Sequence, residues 1–133
     1  MNRTFGTILI DITPGGGDFD RSFLERNGHD VMLCHGPQDG TTCPLLDGRG
    51  CTKVDEAHGI VFARDLDVPQ NRAILTRYRR VMAPEVPIRV VVRPGQAEAY
   101  ASLLAQFEVC EHDLTVADLD GFAAEVEAAD RAV

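Results

Sequence analysis

Short apolar runs alternate along this chain with stretches whose apolar residues recur at helical spacing. TILIDI at Thr7–Ile12 is β-branched and apolar almost throughout, and predicts a first strand. DVMLC at Asp30–Cys34, GIVFAR at 59–64, IRVVVR at 88–93 and FEVC at 107–110 predict four more. Between them the spacing predicts helices over 18–27, 71–82, 96–106 and 117–132, and a short helical piece at 54–57. Asp18 is placed to cap the first helix, Phe19, Phe23 and Leu24 to form its packed face, and Gly28 to stop it. Ile74, Leu75, Tyr78 and Met82 fall on one side of the 71–82 helix, and Gly121 is tolerated within the last one.

Strands that are apolar on both faces and alternate with helices belong in a parallel sheet covered on both sides. Right-handed crossovers through five strands then lead to an α/β three-layer, flavodoxin-like sandwich in strand order 2-1-3-4-5. In such sheets ligands bind in the crevice beyond the carboxyl ends of the strands. The most informative stretch is therefore GIVFARDLDVPQN at 59–71, where a buried strand runs out into Asp65, Asp67 and Pro69.

The 133 residues suit one domain with one core, and a 44% hydrophobic content is enough to pack it. With no Trp and 6% aromatics, aliphatic side chains must fill that core. A net charge of -8 and a pI near 4.8 argue against nucleic acid as a partner. Arg77, Arg79 and Arg80 form the densest basic patch and read as a solvated helix face. No apolar stretch approaches a membrane span or a signal peptide, so a soluble, cytoplasmic protein is expected, with its four cysteines as thiols, metal ligands or redox groups.

These elements and acids together resemble a CheY-like receiver domain, the phosphoacceptor module of two-component signalling. Asp11 ends the first strand where that family carries its first acid, and Asp65-Leu66-Asp67-Val68-Pro69 is similar to the family's D-x-x-M-P. The resemblance places Asp65 in the phosphoacceptor position, with Asp11 and Asp67 as its acidic neighbours. It also implies Mg²⁺, a second acid after the first strand, a Thr or Ser after the fourth and a Lys after the fifth. Here Ile12 and Val92 occupy two of those places, and Cys110, Glu111 and His112 the third; Lys53 is the chain's one lysine. The sequence therefore predicts a degenerate phosphoacceptor pocket without a standard Mg²⁺ site, in a stand-alone regulatory module. Its output would require a partner protein or a homodimer.

Between the second and third strands the chain is longer than the family pattern by about nine residues, in a Gly/Pro-rich insertion at about 35–53 of the kind that usually carries function. Cys34, His35, Cys43 and Cys51 lie in or beside it. Three Cys and a His suit a tetrahedral Zn²⁺ site, and three Cys an iron–sulfur cluster with an unusual fourth ligand. Cys43 and Cys51 suit a reversible disulfide, and Cys34 a buried strand-end thiol. His58 and Cys110 stand at distant parts of the sheet, roughly 20 Å from Cys34. A metal or redox sensor on a receiver-like scaffold is thus a second reading, and a small-ligand or nucleotide-binding protein a third. The glycines at 15–17 lack a phosphate-binding fingerprint and read as a turn. His112 and Asp113 are acid/base candidates without a visible nucleophile, and His29 reads as a surface residue.

Overall fold

The computed structural model describes residues 6–13, 16–35, 43, 45–46, 48 and 50–131. Positions 36–42, 44, 47 and 49 of the predicted insertion lie outside them. Five parallel strands, β1 Thr7–Ile12, β2 Asp30–Cys34, β3 Gly59–Ala63, β4 Ile88–Val91 and β5 Glu108–Cys110, form one sheet in the order β2-β1-β3-β4-β5. The helices are α1 Asp18–Arg26, α2 Thr52–Glu56, α3 Pro69–Val81, α4 Gln96–Ala99, α5 Ala101–Leu104 and α6 Val116–Arg131. The expected fold class and strand order are both present.

Alternation along each strand divides the core between the two faces. Leu9, Ile60, Phe62 and Val90 pack with Val54 of α2, Ile74, Leu75 and Tyr78 of α3, and Leu104 of α5. Ile8, Ile10 and Val61 pack with Leu24 of α1 and Leu119, Phe122 and Val126 of α6. The Cβ of an alanine at Gly59 would stand 2.5 Å from Val126 Cγ2, so the missing side chain lets α6 lie directly on β3.

Several expectations need correction. Phe19 is 61% exposed, and only Phe23 and Leu24 of its trio turn inward. His29 is buried rather than on the surface, because its Nδ1 lies 3.2 Å from the Gly6 carbonyl. The helix expected at 96–106 breaks at Tyr100, whose φ of -117° is not helical. The α3 helix begins two residues earlier than expected, since Pro69 at its start already has a helical φ and lacks the N–H that would go unpaired there.

Helix ends follow local chemistry. Gly28, at φ 93°, closes α1 in a Schellman turn, with Gly28 N–H on the Glu25 carbonyl and His29 N–H on that of Leu24, each 3.1 Å. Thr115 caps α6 reciprocally with Asp118: Thr115 N–H donates to Asp118 Oδ2 at 3.0 Å, and Asp118 N–H to Thr115 Oγ1 at 3.2 Å.

Candidate functional site

Residues from the carboxyl ends of β1, β3, β4 and β5 line a cleft of about 590 Å³, where the topology led one to look. Ile12, Thr13, Arg64, Asp65, Val92, Arg93, Gln96 and His112 contribute to its walls. Asp65 leaves β3 two residues beyond Ala63, so its carboxylate reaches the rim and is 34% exposed.

Three donors converge on Asp65 Oδ1. Asp67 N–H donates at 3.0 Å, Gln96 Nε2 at 2.9 Å and Arg93 Nη2 at 3.0 Å. Gln96 is itself held by Arg93 N–H, which donates to its Oε1 at 3.0 Å. The Asp67 amide, then Gln96, then the Arg93 charge hold the Asp65 carboxyl below its ordinary value of 3.8. The same Arg93 nitrogen lies 2.6 Å from Asp67 Oδ2, so one guanidinium bridges both acids. Tyr100 hydroxyl donates to Asp67 Oδ1 at 2.6 Å, and the Arg72 guanidinium stacks 5.2 Å over the Tyr100 ring. These bonds tie Tyr100 to the loop after β3 at the point where α4 gives way to α5, while its backbone still bonds Gln96 and Leu104.

Asp11 does not join Asp65. It pairs in register with Phe62, one step short of Ile12 and Ala63, and shares the α3 face with Leu9. There it is 1% exposed, salt-bridged to Arg64 Nε, and accepts the Tyr78 hydroxyl at 2.5 Å. Burial pushes its carboxyl up, while Arg64 and Tyr78 oppose that shift. Arg64 also donates through Nη2 to the Cys34 carbonyl at 3.3 Å, tying β3 to the end of β2.

A Mg²⁺ ion requires a near-octahedral set of oxygen ligands. The residues here do not fit one: Asp11 is committed to Arg64 and Tyr78, Ile12 is apolar, and Arg93 occupies the space between Asp65 and Asp67.

The loop cysteines stand beside the core. Cys34, Cys43 and Cys51 are half-buried, free of disulfides, and pack against the α2–α3 side of the core. His35 Nδ1 lies 3.3 Å from the Ile12 carbonyl. Among the described residues no three of Cys34, His35, Cys43 and Cys51 come within ligand reach of one another; Cys110, His112 and Asp118 do. His58, at the opposite end of the sheet, accepts Thr7 N–H on its Nδ1 at 2.8 Å.

Sequence reasoning found Asp65 and Asp67 but missed Arg64, Arg93, Gln96, Tyr100 and Tyr78. A signal was present, since GIVFAR and IRVVVR each carry an arginine just beyond a buried strand, and the first of them adjoins Asp65. No helix among the described residues is long and apolar enough to cross a membrane.

No family model and no curated protein matches the chain. Solved structures do. NtrX from Brucella abortus, crystallised in complex with ADP, superposes with a TM-score of 0.65 over 96% of this chain at 16% identity. The chain spans 27% of that protein's length. A response regulator receiver domain protein from Clostridium thermocellum gives a TM-score of 0.59 at 16% identity, over 96% of this chain and 95% of its own. With the sheet order, the crevice and these likenesses in hand, the chain has the fold of a response-regulator receiver domain.

Proposed function

We propose that the protein is an atypical receiver-like signalling module that acts by binding a partner protein, with the acids of its crevice neutralised by its own arginine. The observation that carries this reading is the Arg93 bridge between Asp65 and Asp67. A metal-dependent phosphoacceptor needs its carboxylates free to hold a cation and one oxygen free to attack phosphorus. Here an internal guanidinium supplies the positive charge, and three donors surround Asp65 Oδ1. A guanidinium cannot lose its proton at any working pH, so above the range in which the two carboxyls titrate the bridge keeps its charge and is broken by movement.

The same contacts connect the crevice to the β4–α4–α5 segment through Gln96 and Tyr100. This connection supports that segment as the surface a partner reads, because an event that displaces Arg93 or Asp67 also removes a polar anchor of α4 and α5. The charge of -8 favours a partner with a basic face.

The test is incubation with Mg²⁺ and a small-molecule phosphodonor, followed by intact mass and amide NMR spectra. The expected result is no phosphoryl mass gain and no shift of the Asp65 or Arg93 resonances. A stoichiometric phosphoryl adduct on Asp65, absent from Asp65→Asn, would overturn the reading and make the protein an ordinary phosphoacceptor.

A further inference from the structure

Away from the Arg93 bridge, the end of β5 gathers three side chains that the receiver likeness does not account for. Cys110 closes the strand, His112 follows it, and Asp118 lies in the first turn of α6. One ligand atom from each lies within 4.8 Å of the other two, the one such group among the described residues. Tetrahedral ligands at zinc distances of about 2.0–2.3 Å stand roughly 3.5 Å from each other. Cys110 Sγ is 3.3 Å from both ring nitrogens of His112, and the nearer of these to Asp118, Nδ1, is 3.8 Å from its Oδ2.

The surroundings prepare each group as a ligand. His112 Nδ1 is 2.8 Å from the Asp113 carbonyl, which can only accept, so Nδ1 carries the proton and Nε2 is the nitrogen left with a free lone pair. Asp118 Oδ2 accepts both the amide and the hydroxyl of Thr115, each at 3.0 Å, which fixes the carboxylate in place. Cys110 packs half-buried against the α1–α6 side of the core, whereas the His112 side chain is 63% exposed and Asp118 29%. An ion would thus enter from the solvent side and meet a backed sulfur.

We propose that Cys110, His112 and Asp118 form a binding site for a borderline transition-metal ion, Zn²⁺ above all, through three protein ligands and one open position. A Cys, His and carboxylate set suits this class of ion and not a hard one such as Mg²⁺. Cys110 binds as the thiolate, so each ion taken up releases the thiol proton to solvent. Three ligands with an exposed edge make an exchangeable site, one that an outside ligand can complete. His112 also lines the Asp65 crevice, so occupancy would be felt there.

The experiment is an oxygen-free titration of the reduced protein with Co²⁺, followed by displacement with Zn²⁺. The expected result is a thiolate-to-cobalt absorption band and tetrahedral visible bands saturating at one equivalent, bleached by one equivalent of Zn²⁺. Cys110→Ser should abolish the thiolate band, and His112→Ala and Asp118→Asn should each weaken binding. Thr115→Val, which loosens Asp118 without touching the ion, should weaken Zn²⁺ about 10- to 100-fold. His112 is exposed, so its variant keeps the test meaningful if Cys110→Ser folds poorly. No band with the unaltered protein would overturn the proposal. So would a band that survives in both Cys110→Ser and His112→Ala but is lost in Cys43→Ser or Cys51→Ser, which would return the site to the insertion.

Discussion

Two arginines set the electrostatics around the strand ends, and they do so at different depths. Arg64 is 7% exposed and Asp11 1%, so each charge depends on the other for compensation. Removing one partner of such a pair typically costs about 3–5 kcal/mol, because the remaining charge stays buried alone. Asp11→Asn should therefore lower the unfolding free energy in urea by about 3–5 kcal/mol; a loss under about 1 kcal/mol would mean that water reaches Arg64. Arg93 works at the surface, where solvent screens it, and its effect is better read from titration than from stability. The folded Asp65 carboxyl titrates below the ordinary 3.8, so the unfolded chain binds the proton first as pH falls. Its contribution to stability is complete above the unfolded value and is lost as pH drops through the lower folded one. Gln96→Leu should move the Asp65 midpoint back towards 3.8, as followed by carboxyl NMR. An unmoved midpoint would leave the Asp67 amide and Arg93 as the causes. At this scale the acids were legible in the sequence but their grouping was not. A single step of register sends Asp11 to the buried α3 face, while Asp65, beyond the last paired residue, reaches the crevice. No pattern of residue types reveals that step.

The strands were legible because burial on both faces leaves an almost uninterrupted apolar run, and their order followed from right-handed crossovers through five strands. Helix limits were harder, because tertiary bonds override propensity. Nothing in QAEAYASLLAQ marks Tyr100 as a break; in the fold its φ is not helical, and its hydroxyl bond to Asp67 and its stacking on Arg72 fix it there. The start of α6 was readable, since Thr115-Val-Ala-Asp118 has the spacing of a capping box. Gly121, within α6, is a different case. A Cβ there would meet nothing within 4 Å, so the glycine has no packing role and only adds freedom to the unfolded chain. Gly121→Ala should stabilise the protein by about 0.5–1 kcal/mol, raising its thermal midpoint by a few degrees. A destabilised variant would show that α6 needs that surface bare, for instance to dock on something.

At the scale of the molecule the two sides of the sheet are built unequally. One side rests on α1 and the 16-residue α6, whose Phe122 and Val126 are fully buried against the strands. The other carries α2, α4 and α5, of five, four and four residues, beside the long α3. Helices of one turn have little stability of their own and depend on tertiary anchors. For α4 and α5 those anchors are Gln96 on Asp65 and Tyr100 on Asp67, both organised by Arg93. The segment therefore belongs to the least stable part of the fold, from which moving elements are drawn. Arg93→Ala combined with Tyr100→Phe removes the bridge and one anchor while leaving the apolar contacts of Leu104 in place. Amide hydrogen exchange should then accelerate across 96–104 and in the 65–68 turn, with β1, β3 and α6 protected as before. Uniform acceleration would instead mean a general loss of stability. Unchanged exchange would mean that Leu104 and its apolar neighbours alone hold the segment, and that the acidic crevice has no mechanical connection to the surface proposed for the partner.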